Sequence, residues 1–123
     1  MNTEILIASS MNVRPVMTMT TAGCVATSVA IVFSDGMEGS VFYLPRANSF
    51  SLANILDKYG REHMTTPFQV DSVTIYSVVV GGDRSWRFVY EGDIYRVAFV
   101  PEALIIELPR AIRRALDKPE STR

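Results

Sequence analysis

The stretch from Val73 to Val100 constrains this chain more than any other, because it alternates side chains with a period of two and is interrupted twice by turn residues. Val73–Val80, Trp86–Glu91 and Ile94–Val100 predict three strands of one antiparallel meander. Gly92-Asp93 predicts a two-residue type II′ turn, since glycine adopts positive φ at the first central position without a Cβ clash. With Gly81–Ser85 as a symmetric five-residue loop, that turn sets Tyr90 opposite Tyr95, Phe88 opposite Val97 and Trp86 opposite Phe99. It also sets Tyr76 beside Tyr90, Val78 beside Phe88 and Val80 beside Trp86. One face is then almost wholly aromatic and β-branched. The other carries Arg87, Arg96 and Glu91 among Ile75, Val79, Val89, Ile94 and Ala98, a set too apolar to stand in water. That second face is expected to be covered by the amino-terminal strands or by another subunit.

The rest of the chain supplies what packs on the meander. Glu4–Ala8 predicts a short strand, Ser9–Pro15 a loop, and Val16–Thr21 an alternating run ended by a bend at Ala22-Gly23. Val25–Phe33 and Ser40–Leu44 predict an antiparallel pair about the turn residues Ser34–Gly39, with Pro45 as the stop. Ser51 as cap, Phe50 stapled to Ile55, and Gly60 as a left-handed terminator predict a helix over Ser51–Tyr59. Its stripe of Leu52, Ile55, Leu56 and Tyr59 suits a sheet face. Residues 103–108 fit strand and helix alike; Pro109 favours a new helix from Pro109 to Asp117, with fraying from Pro119.

These elements predict one α+β domain over residues 1–123, a curved, mainly antiparallel sheet or partly closed barrel of six to eight strands. A mid-chain helix and a C-terminal helix pack on it. A chain of 123 residues buries enough surface to fold without staples. Its 12 basic and 13 acidic residues give no global field toward nucleic acid or an anionic membrane. Cys24 is the sole cysteine, so no intrachain disulfide forms and a cytoplasmic, reducing location is expected. Pro15–Ser34 carries no charge, yet four threonines, two serines and a glycine make it too polar for a membrane span.

Chemistry-bearing residues are few. Cys24 and His63, the sole histidine, are the one conceivable thiol and base, and they define the alternative of a thiol-dependent hydrolase or deamidase. Thr21-Ala22-Gly23-Cys24-Val25 resembles the Thr…Gly-Ser-Cys-Val stretch of the bacterial chemoreceptor glutamine deamidases and related cysteine toxins. In that family the catalytic histidine follows after a short strand, whereas Gly39–Leu44 here contains none. No zinc set is available from one cysteine and one histidine, and no metal or cofactor is expected. Of the carboxylates Asp35, Glu38, Asp71, Asp83, Glu91 and Asp93, nearly all fall at predicted turns, where aspartate serves local hydrogen bonding. Arg110, Arg113, Arg114 and Lys118 on the last helix, with Arg84, Arg87 and Arg96, define a second alternative, weak nucleic-acid binding; helix-dipole complementarity explains the terminal cations equally well.

The leading expectation is a non-catalytic homo-oligomeric interaction module, most simply a symmetric dimer. A narrower expectation adds a small apolar or aromatic ligand held between the mid-chain helix and Tyr76, Trp86, Phe88, Tyr90 and Tyr95.

Overall fold

A computed structural model describes residues 3–92 and 94–117. The expectations for Asp93, Lys118 and the fraying tail lie outside the described residues. Along the chain run β1 (Thr3–Ile7), β2 (Ser10–Thr20), β3 (Gly23–Ser34), β4 (Gly39–Pro45), α1 (Arg46–Tyr59), β5 (Phe68–Val70), β6 (Val73–Val80), β7 (Asp83–Glu91), β8 (Tyr95–Pro101) and α2 (Glu102–Leu116). The class is α+β as expected, with a mid-chain and a C-terminal helix. The strands form two sheets and no closed barrel. One sheet has the order β1-β8-β7-β6-β5 and the other β2-β3-β4. Every pairing is antiparallel except that of β1 with β8.

The meander forms, but in a different register. Gly81 and Gly82 have φ of 61° and 88°, positive at both central positions as a two-residue type I′ turn requires. Val80 therefore pairs with Asp83, and the strand from Trp86 begins three residues earlier than expected. At the other end Glu91 pairs with Tyr95, so the link from β7 to β8 is longer than a two-residue turn. Relative to expectation the β6–β7 junction slips by three residues and the β7–β8 junction by one. Tyr90 faces Arg96 instead of Tyr95, Phe88 faces Ala98 and Ile75, and Trp86 faces Val100 and Ser77. Because side chains alternate, a slip by an odd number moves every residue of β6 and β8 to the other side relative to β7.

The corrected inner face carries Val73, Ile75, Trp86, Phe88, Ala98 and Val100, all members of the central core. Phe88 meets Phe33 of β3 at 5.1 Å and Phe42 of β4 at 6.0 Å between ring centroids, with all three rings mutually edge-on. Each fully buried phenylalanine contributes about 1.5–3 kcal/mol by burial, and each aromatic pair roughly 0.5–1.5 more. The chain steps from one sheet to the other at Ala8-Ser9, where Ala8 N donates to Phe99 O (2.9 Å) and Ser9 N to Ser34 O (2.7 Å).

Both helices differ from expectation at their ends. Helix α1 starts five residues early, after Pro45, with no side-chain cap; Ser51 instead donates to Ala47 O one turn back (3.2 Å). Gly60 has right-handed geometry, φ −60°, and is required for another reason. A Cβ there would lie 3.2 Å from Ile105 Cγ2 and 2.5 Å from Leu56 O, so glycine permits α1 to approach α2. Helix α1 packs on α2, β3, β4 and β5 and does not cross the meander; α2 touches both sheets. Helix α2 is continuous through Pro109, settling residues 103–108 as helix. Burial of Ile105, Leu108 and Ile112 on one stripe outweighs the hydrogen bond that proline removes. Ser10–Pro15, expected as a loop, is the first half of β2; a bulge at Val16/Met17 separates it from the threonine–methionine run.

Candidate functional site

The slipped register creates a second face on the five-stranded sheet, and that face is where the candidate site lies. Direct pairing aligns five rows across it. One row is Ile5, Val97, Val89 and Thr74; beside it on one side run Ile7, Phe99, Arg87 and Tyr76, then Pro101, Ser85 and Val78, then Asp83 and Val80, and on the other side Thr3, Tyr95 and Glu91. The three-stranded sheet and both helices contribute to the core on the opposite side. Val89 and Val97 are nonetheless 6% and 3% exposed, and neither belongs to the central core. Their large neighbours on the same face shelter them. At the edge, β1 leaves Ile5 67% and Ile7 61% exposed.

Arg87 holds the centre of this face. Its guanidinium lies 5.5 Å from the Tyr76 ring centroid and 5.9 Å from that of Phe99. It donates to Tyr76 Oη through Nη1 and to Tyr95 Oη through Nη2 (3.4 Å). Nε is buried without a hydrogen-bond partner. Two hydroxyls thus serve a group with five N–H donors, and no described carboxylate neutralises it. Partly desolvated on an apolar face, such a cation favours any arriving acceptor.

The five residues expected to line a ligand cavity are divided between the two faces. Tyr76 and Tyr95 meet at Arg87 on the outer face. Trp86 and Phe88 are fully enclosed on the inner one, Trp86 donating through Nε1 to Gly60 O (3.2 Å). Tyr90 sits at the inner rim under Arg96 (5.5 Å), which also pairs with Glu4 (3.5 Å) and donates to Val41 O (3.2 Å). The face expected to need a cover is likewise split, with Ile75 and Ala98 in the core and Val89 outside.

Cys24 and His63 are not brought together. Cys24 is at the tip of the β2–β3 hairpin, its Sγ 3.7 Å from Met19 Sδ, whereas His63 Nδ1 lies 3.4 Å from Ser77 Oγ beside the other sheet. Of the arginines expected to form a basic patch, Arg84 pairs with Glu102 (3.1 Å), and Arg113 pairs with Asp57 (2.6 Å) and donates to Asn54 (2.9 Å). Among the described residues no group of three histidine, cysteine or acidic side chains could hold a metal ion, and no described helix is long and apolar enough to cross a membrane.

Elsewhere on the described surface lie grooves of about 300 Å³ and about 270 Å³. The first, between β2 and α2, is lined by Met11, Val13, Pro15, Glu107, Ala111 and Arg114; the second, beside β1, holds Ser40, whose buried hydroxyl has no partner. Phe99, Ile5 and Ile7 carry no site signal in the sequence, and Arg87 and Glu91 signal there only a basic patch and a candidate carboxylate. Their alternation was visible, but their common face depends on two turn lengths.

No protein-family model matches the chain, and no curated protein matches it. Among solved structures, the chain is similar to one concerning mutations in SsgB that correlate to longitudinal cell division during sporulation of Streptomyces coelicolor. The two superpose with a TM-score of 0.46 at 9% identity, over 90% of this chain and 93% of that one.

Proposed function

We propose that this protein is a non-catalytic interaction module that associates with copies of itself through the outer face of its five-stranded sheet. The observation that carries this reading is an apolar, arginine-centred sheet face opposite the core, flanked by the exposed Ile5 and Ile7. A solvated sheet surface normally alternates to polar residues, and a contiguous apolar one is characteristic of an interface. Burying one such isoleucine is worth about 1.5–3 kcal/mol, so a handful suffices to offset the entropy of association. The non-catalytic part rests on the separation of the one thiol from the one imidazole. A small apolar or aromatic ligand is the narrower reading; its place would be the outer side at Tyr76 and Tyr95, because the inner aromatic residues already fill one another's space.

Multi-angle light scattering across a concentration series tests the main reading. The expected result is a mass above that of one chain at high concentration, lowered by Ile7→Glu with an unchanged circular dichroism spectrum. A single-chain mass at every concentration refutes it.

A further inference from the structure

We infer that the partner on this face is a second copy of the chain, stacked face to face about a two-fold axis that runs across the strands over Val89 and pairs Arg87 of each copy with Glu91 of the other. The inference rests on the self-association proposed above and specifies its geometry.

The rows of the outer face decide the direction of the axis. Strand β7 is the middle strand of five, and on it Val89 lies midway between Arg87 and Glu91, in the row that ends on the exposed Ile5. Arg87 and Glu91 stand on the same side of β7, two residues before and two after it, about 7 Å each way at strand rise. A two-fold axis parallel to the strands and over the central strand β7 would stack Arg87 on its own copy, placing like charges together in a dry interface, which is strongly unfavourable. An axis across the strands reverses their direction in the partner. The row of Ile5, Val97, Val89 and Thr74 then meets itself, and the row of Ile7, Phe99 and Arg87 meets the row of Thr3, Tyr95 and Glu91. Arg87 faces a carboxylate, Phe99 faces a tyrosine ring, and both contacts occur twice, as an isologous interface demands.

Chemistry supports the same arrangement. Arg87 uses only two hydroxyl acceptors, and Glu91, an exposed residue, makes no salt bridge among the described residues. Each copy therefore presents one cation and one anion that its own described residues leave unneutralised. Packed sheets lie about 10 Å apart and cross at roughly 30°. That crossing offsets the Arg87–Glu91 pair sideways by only about 3 Å, within the reach of the two flexible side chains.

The test uses charge reversal in the full chain. Glu91→Arg and Arg87→Glu each place like charges at both contacts, and each is expected to weaken the dimer by about thirtyfold or more in light scattering or sedimentation. Mixing the two variants places opposite charges at both contacts, so an equimolar mixture is expected to regain a dimer made of one of each. Circular dichroism identifies any variant that fails to fold; should Arg87→Glu fail, Glu91→Arg alone decides, because Glu91 is exposed. A wild-type oligomer undiminished by Glu91→Arg overturns this geometry while leaving self-association standing. Two weakened variants that do not recover on mixing also overturn it. A monomeric wild type removes both readings.

Discussion

At the scale of single residues, the core centres on Phe88, which touches Phe33 and Phe42 edge-on and is fully enclosed. Phe88→Ala should cost about 3–5 kcal/mol, read as a lower urea midpoint, because the rings around it belong to different strands and cannot collapse together. Asp35 poses a pH question instead. Its Oδ1 accepts from the amides of Met37 and Glu38, both at 2.8 Å, and these bonds lower its pKa below the usual carboxylate value. A depressed folded-state pKa adds stability that is present above the unfolded value, about pH 4, and is lost as pH falls through the folded one. Asp35→Ala should therefore flatten the decline of melting temperature below pH 4 relative to the wild type. An equal decline in both proteins would show that the turn's amides do not hold the ionised form.

At the scale of elements, the meander shows how two short turns control a whole face. Positive φ at Gly81 and Gly82 suits asparagine or glycine and excludes branched side chains, so Gly82→Val should cost about 1–2 kcal/mol by urea titration whereas Gly81→Asn should be nearly neutral. Gly60→Ala should also destabilise, through the clash with Leu56 O and the tight approach to Ile105. The strands themselves were legible because alternation survives any register: β6, β7, β8 and the β3–β4 pair all form near their expected bounds. What could not be read was which alternating set shares a side. Gly-Gly-Asp-Arg-Ser fits a five-residue loop or a two-residue turn followed by strand, and local composition does not separate them. Trp86 and Phe88 consequently moved away from Tyr76 and Tyr95, and Arg87, read as part of a charged reverse face, took the centre of the aromatic one. The parallel pairing of β1 was equally hidden, since a five-residue strand carries no mark of its distant partner. At Pro109 of α2 the intrinsic preference weighs against helix, while the burial that overrides it appears only once both sheets are placed.

At the scale of the whole molecule, two layers of strand meet around Phe33, Phe42 and Phe88, with the helices closing the core and the far side of the larger sheet left as a surface. That larger sheet is finished by the earliest strand: Thr3 lies opposite Tyr95 and Ile7 opposite Phe99. During synthesis β1 emerges first and can pair only after β8 has followed it, so nearly the entire chain must be looped before this ladder forms. Closing so long a loop is entropically costly and slows folding relative to local contacts. Until then the edge of β8 is unpaired and open to strands from other molecules. Removing residues 3–7 should therefore leave a protein that turns turbid on refolding at micromolar concentration, an effect relieved by adding a peptide of that sequence in excess. The order of synthesis makes β1 wait for a partner made almost a hundred residues later, and the chain's exposure to misassembly lasts as long as that delay.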